Sequence, residues 1–142
     1  MLFGKRERRI RRILIVEDEP LVAFDNENML QDADYEVVAT VDSYADAARV
    51  IAEAELDLVL TDLTLAGDGN GLDVARAAAA KGVPVLIVTG DCGEEAKSLA
   101  LGCLAKPYSE RVLLGALDAI DFHLQGRKKK RVPEQLTLWV QA

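Results

Sequence analysis

Residues 13–20 read ILIVEDEP: four aliphatic residues, three consecutive acids and a proline. A run that short, rich in β-branched residues and stopped abruptly by charge, predicts a buried strand. Pro20 suits the first turn of a following helix, where its missing N–H has no intrahelical partner to lose. In that helix Val22, Met29, Leu30 and Ala33 fall on one face.

The same alternation continues along the chain. Residues 36–41 predict a second strand. Asp42 and Ser43 then offer a cap to a helix carrying Tyr44, Ala47, Ala48 and Ile51 at helical spacing. Residues 57–61 predict a third strand with Asp62 at its end. Gly67, Gly69 and Gly71 mark a loop, and 72–81 an alanine-rich helix stopped by Gly82. A fourth strand over 83–88 ends at Thr89 and Gly90. A short helical stretch at 94–101 precedes a weak fifth strand over 102–105, followed by Lys106 and Pro107. Leu113, Ala116, Leu117, Ile120 and Leu124 form the apolar stripe of a last helix. Five strand–helix units predict an α/β fold, (βα)5, with a five-stranded parallel sheet and helices on both faces. In 132–140, Leu136, Leu138 and Val140 alternate with Thr137 and Trp139. That tail either pairs with a sheet edge, of its own chain or of a second copy in a homodimer, or is an unstructured end.

A chain of 142 residues suits one domain. No apolar run approaches the roughly 20 residues that span a bilayer. The basic 1–12 segment leads only into a four-residue apolar run, unlike a signal peptide. Cys92 and Cys103 form no CxxC pair and have no flanking histidine, which predicts neither a disulfide framework nor a zinc site. A reduced, cytoplasmic protein is expected, with Cys103 as a small buried filler. The net charge of −7 hides an asymmetry. Eleven of the 17 basic residues lie at the ends, in Lys5, Arg6, Arg8, Arg9, Arg11, Arg12 and the run 127–131. The other six share the span 13–126 with 22 of the 24 acids. So acidic a body argues against nucleic acid as a partner, and no aromatic residue interleaves with the basic ends.

In an open parallel sheet, ligands bind beyond the carboxyl ends of the strands. Those ends carry Glu17 and Asp18, Asp62, Thr89 and Lys106. Three clustered carboxylates repel one another unless a cation sits among them, and as hard oxygen donors they suit Mg²⁺. A carboxylate can also attack phosphorus and form an acyl phosphate, whose charge a metal, an ammonium and a hydroxyl would neutralise.

Four segments in order resemble the receiver-domain motifs of two-component response regulators: ILIVEDEP at 13–20, LVLTDL at 58–63, VTG at 88–90 and LAKP at 104–107. The resemblance covers about residues 12–124, which makes 1–11 a basic arm and 125–142 a basic, strand-like tail. It implies a flavodoxin-like receiver fold acting in a phosphorelay, and the roughly 18 residues after 124 are too few for an output module, so a stand-alone protein is expected. Asp62 would accept a phosphoryl group from a histidine kinase or phosphotransfer protein. Asp18 and Asp62 would ligate Mg²⁺, with Glu17 acting through water and the backbone carbonyl of Thr64 completing the set. Lys106 would pair with one phosphoryl oxygen and Thr89 with another. Output would pass to a downstream signalling protein by contact or by onward phosphotransfer. Receivers usually carry Tyr or Phe where this chain has Cys103. With the short stretch from Thr89 to Lys106, that departure resembles the atypical alphaproteobacterial receivers with a Phe-Ala-Thr-Gly-type motif. Ile87 and Val88 stand at the first two places of that motif, and the subgroup implies general stress signalling.

Other readings fit less well. An aspartate-nucleophile phosphatase usually carries a second acid two residues after its nucleophile, where this chain has Thr64. A Rossmann domain would have glycines where Glu17 and Asp18 stand. His123, the only histidine, argues against a histidine metal cluster. A degenerate receiver acting by contact alone would keep the fold and lose the phosphoryl chemistry.

Overall fold

The element order in the computed structural model is β1 (Arg12–Val16), α1 (Pro20–Asp32), β2 (Glu36–Val41), α2 (Tyr44–Glu53), β3 (Leu58–Asp62), α3 (Gly71–Ala80), β4 (Val85–Thr89), β5 (Gly102–Ala105), α4 (Glu110–Leu124) and β6 (Leu136–Leu138). The structure describes residues 7–128 and 131–139. Lys5, Arg6, Lys129, Lys130 and Val140, which figured in the reading of the two ends, lie outside that range.

The strands form one sheet in the order β2-β1-β3-β4-β5-β6. The first five are parallel, and β6 runs antiparallel to β5. Successive strand residues point to opposite faces. Ile13, Ile15, Leu58, Leu60, Leu86, Val88 and Leu104 pack with Leu30 of α1 and with Leu113, Leu117 and Ile120 of α4. Leu14, Val16, Val59, Val85, Ile87 and Cys103 pack with Ala47 and Ile51 of α2 and with Val74, Ala75 and Ala78 of α3. Both faces are covered, which is why the inner strands read as unbroken apolar runs.

Local chemistry sets the helix ends. Ser43 accepts from the Asp46 N–H at 3.2 Å to open α2, and Ser109 accepts from Val112 at 3.2 Å to open α4. Asn70 and Asp73 form a reciprocal capping box on α3. Each cap contributes about 1 kcal/mol. Gly82 stops α3 with φ +72, a left-handed conformation that costs glycine nothing.

Two features depart from the expected pattern. The stretch 94–101 is a series of turns, with Lys97 N–H donating to Glu94 at 3.0 Å and Leu99 N–H to Ala96 at 2.9 Å. It returns from the carboxyl end of β4 to the start of β5 with Ala96 and Ala100 buried on the way and the Leu101 N–H tied to the Val85 carbonyl at 2.9 Å, contacts that hold it as turns. Four helices therefore serve the five parallel strands. The tail, for which pairing and disorder were both open, pairs with its own chain: Gly102 faces Leu138 and Leu104 faces Leu136. Trp139 continues the contact, its N–H donating to the Leu101 carbonyl at 2.9 Å, and is 7% exposed.

The tail's approach depends on Gly102. A Cβ there would stand 2.6 Å from the Thr137 carbonyl oxygen. Gly102→Val should therefore push β6 off the sheet, at a cost of about 1–3 kcal/mol for the forced overlap. The expected readout is a red-shifted Trp139 emission with an unchanged far-ultraviolet circular dichroism spectrum.

Candidate functional site

Parallel register aligns the carboxyl ends of the strands. Val16 pairs with Thr61, Asp62 with Val88, and Thr89 with Ala105. The residues at or just beyond those ends, Glu17, Asp18, Asp62, Thr89 and Lys106, are therefore brought to one rim. Glu17, Asp18 and Asp62 each offer a carboxylate oxygen within 4.8 Å of the others. The Lys106 ammonium lies 3.1 Å from Asp62 Oδ2 and 3.4 Å from Glu17 Oε1. Its backbone N–H donates to the Thr89 carbonyl at 2.8 Å, which fixes where its side chain starts.

The loop after β3 is held close by glycine. A Cβ on Gly71 would collide with the Asp62 carbonyl oxygen and the Leu63 Cα. Gly71 N–H donates to the Leu63 carbonyl at 2.7 Å, so the start of α3 is tied directly behind Asp62. Thr64 lies in the exposed bend that this contact closes. Thr89 stands at the rim with its hydroxyl accepting from the Asp91 N–H at 3.4 Å. Among the described residues neither threonine is hydrogen-bonded to the three carboxylates. The rim opens onto a cleft of about 300 Å³ lined by Glu17, Asp18, Pro20, Thr40, Asp42 and Asp46 among others, so its field draws cations.

Burial, together with the charge of Asp62, raises the Glu17 carboxyl above its usual 4.5, although the Glu19 N–H and Lys106 pull it down. Burial works against the Lys106 ammonium, but its hydrogen bond to Asp62 and the charges of Glu17 and Asp62 outweigh this and raise it. One ammonium thus faces three carboxylate oxygens that lie within 4.8 Å of one another. The donor set fits a hard divalent cation such as Mg²⁺.

Sequence reasoning missed two features here. Tyr108 donates a hydrogen bond to the buried Asn26 at 3.2 Å, joining α1 to the segment after Lys106. Nothing in a spacing of 82 residues signals that pair. The second is a correction. Cys92 and Cys103, expected as separate thiols in a reduced protein, are joined by a disulfide. Cys103 is buried as expected, at 1% exposure. The reason is the fold-back of the turn segment, which brings the two Cα atoms to 6.0 Å. Closing so short a loop restricts the unfolded chain by about 3 kcal/mol.

The raised Glu17 value fixes the sign of a pH effect. A carboxyl that ionises less readily in the folded than in the unfolded chain favours folding while protonated, and loses that advantage as pH rises from 4.5 through its folded value. In metal-free buffer, Glu17→Gln should therefore gain stability relative to wild type as pH rises through that window. Urea unfolding at several pH values checks this, and an unchanging difference would refute it.

Comparison with known proteins agrees with this geometry. The family model for the response regulator receiver domain matches residues 13–118. The transcriptional regulatory protein PdtaR of Mycobacterium tuberculosis is 32% identical over 114 residues, covering 76% of this chain and 55% of PdtaR. The chain spans about half the length of the curated relatives it matches. The signal receiver domain of a modulated diguanylate cyclase from Desulfovibrio desulfuricans superposes with a TM-score of 0.72 at 28% identity, covering 82% of this chain and 97% of that one. The receiver domain of a sensor histidine kinase from Pseudomonas aeruginosa, with magnesium coordinated in its active-site cleft, superposes at 0.67 with 26% identity, over 76% and 94% of the two chains. With the α/β sheet, the acidic rim and a family match over most of its length, this chain belongs to the response regulator receiver domain family of two-component signalling.

Proposed function

We propose that Asp62 is the phosphoacceptor of this receiver, charged by a histidine kinase or phosphotransfer protein. The observation that carries the reading is the Lys106 ammonium held 3.1 Å from an Asp62 carboxylate that also borders Glu17 and Asp18. A receiver is a phosphoacceptor, not a conventional enzyme. Asp18 and Asp62 would hold Mg²⁺ directly, Glu17 through water and Thr64 by its backbone carbonyl. When bound, the ion supplies neutralising charge to the phosphoryl oxygens.

The chain's own groups perform the transfer. An Asp62 carboxylate oxygen attacks phosphorus, the O–P bond forms, and the P–N bond to the donor imidazole breaks. Lys106 balances charge on the phosphoryl oxygens, and the Thr89 hydroxyl donates to one of them. The product is an aspartyl phosphate whose added charge changes the rim, and so biases a surface that a downstream protein reads.

A protein donor would approach over the start of α1. There Leu21 and Phe24 are 80% and 62% exposed beside the rim. Large apolar side chains so exposed fit a donor surface that covers them during transfer. Among the described residues no helix is long and apolar enough to cross a membrane. We place the protein in the cytoplasm, where kinases draw on ATP. Val88–Gly90, Cys103 and the helix-free 90–101 segment support the atypical Phe-Ala-Thr-Gly-type subgroup and, through it, a role in general stress signalling.

Incubation with acetyl phosphate and Mg²⁺ should add the mass of one phosphoryl group, and Asp62→Asn should abolish the gain. An unmodified wild type would indicate a degenerate receiver acting by contact alone. Phe24→Ser should leave acetyl phosphate labelling unchanged while slowing transfer from a protein donor by about tenfold, the worth of one buried aromatic anchor. Equal slowing with both donors would instead mean that Phe24 supports the fold of α1.

A further inference from the structure

The Cys92–Cys103 bond joins two places that matter to the rim. Cys92 follows Thr89 by three residues, and Cys103 precedes Lys106 by three. No regular element lies between β4 and β5; the segment is held by turn hydrogen bonds, by buried Ala96 and Ala100, and by this covalent tie. The two sulfurs differ in access. Cys103 is sealed in the layer beneath α2 and α3, while Cys92 is half-buried in the loop. A narrow cleft beside the bond is lined by Leu63, Thr89, Asp91, Cys92, Gly93 and Trp139 among others.

We propose that Cys92–Cys103 is a reversible thiol-exchange site for a dithiol reductant, and that its state decides whether a change at Thr89 reaches the 90–101 segment. Access directs the chemistry to Cys92. A thiolate of the dithiol attacks Cys92 Sγ and forms a mixed disulfide. The Cys92–Cys103 bond breaks, and its electron pair leaves on Cys103 Sγ, which takes up a proton. The second thiolate of the dithiol then displaces Cys92 Sγ, which is protonated in turn. Two protein thiols and one cyclised dithiol disulfide result, so two electrons pass from reductant to protein.

The coupling follows from the neighbours of Thr89, and it rests on the role given to that residue above. The Thr89 hydroxyl now accepts from the Asp91 N–H at 3.4 Å. A phosphoryl oxygen on Asp62 draws that hydroxyl toward β3, and the displacement enters the loop at Asp91, one residue from the bond. With the bond closed, the loop is pinned to β5 and the displacement stops there. With it open, only turn hydrogen bonds and the burial of the small Ala96 and Ala100 resist, and the shift passes along 90–101 to Leu101, whose carbonyl holds the Trp139 N–H. In a thiol-rich compartment such a bond is a transient state rather than a permanent staple.

Trp139 is the only tryptophan and reports on this directly. The full chain is oxidised with glutathione disulfide or reduced with dithiothreitol, and Cys92→Ser is prepared in parallel. The oxidised chain should show no titratable thiol and the reduced chain two, reversibly. Acetyl phosphate with Mg²⁺ should add one phosphoryl mass to all three samples. Beryllofluoride with Mg²⁺ should change Trp139 emission in the reduced chain and in Cys92→Ser, and several-fold less in the oxidised chain. Two free thiols after oxidation, or equal emission changes in both redox forms of the wild type, would overturn the proposal while leaving the receiver reading intact. Absence of phosphoryl mass from every sample would overturn the role of Asp62, and this proposal with it.

Discussion

One ammonium among three carboxylates is the constraint on which the rest of this structure turns. Lys106 reaches Asp62 at 3.1 Å and Glu17 at 3.4 Å, with only a quarter of its side chain exposed. Ion pairs such as Arg76–Asp73, at 3.0 Å on the exposed face of α3, contribute little by comparison, because water screens them. At the rim screening is weaker, and burial first, then the charge of Asp62, makes Glu17 hold its proton more tightly. A site left short of positive charge in this way is prepared for what it has to receive.

The sheet delivers that arrangement by register alone. In register β1, β3, β4 and β5 end within two residues of one another, so residues distant in sequence share one edge. Gly71 lets α3 close directly behind Asp62, and the Tyr108–Asn26 bond ties the segment after Lys106 to α1. Burial also raises the Tyr108 hydroxyl above its usual value despite the bond to Asn26, so it remains a donor over the whole working range.

Much of this was legible in the residues. Four of the five parallel strands fell where a short apolar run stops at charge and β4 where one stops at Thr89 and Gly90, because inner strands buried on both faces leave that trace. The rim residues were legible because chemistry-bearing side chains at strand ends are few. What failed to show was what depends on contact between segments without a local pattern. The buried face of α1 is a case: Leu30, Met29 and Ala33 pack against the core as expected, but Ala23 and Asn26 are buried there as well. Asn26 reads as a surface residue until its partner Tyr108 is known. The disulfide was hidden for the same reason, since a separation of 11 residues has no meaning until the turn segment folds back. The 94–101 stretch had the composition of a helix, but its contacts with distant residues, such as the Leu101 N–H on the Val85 carbonyl, hold it as turns.

The position of β6 bears on how the chain is made. Its partner strand β5 precedes it by the whole of α4, so during vectorial synthesis β5 leaves the ribosome with its outer edge bare. An uncovered edge is a template for any extended segment nearby. A nascent sheet of five strands must therefore wait, with its β5 edge as well as its β2 edge uncovered by a strand, until Leu136–Leu138 emerge and Gly102 admits them. Over that interval a neighbouring chain competes for the same flank.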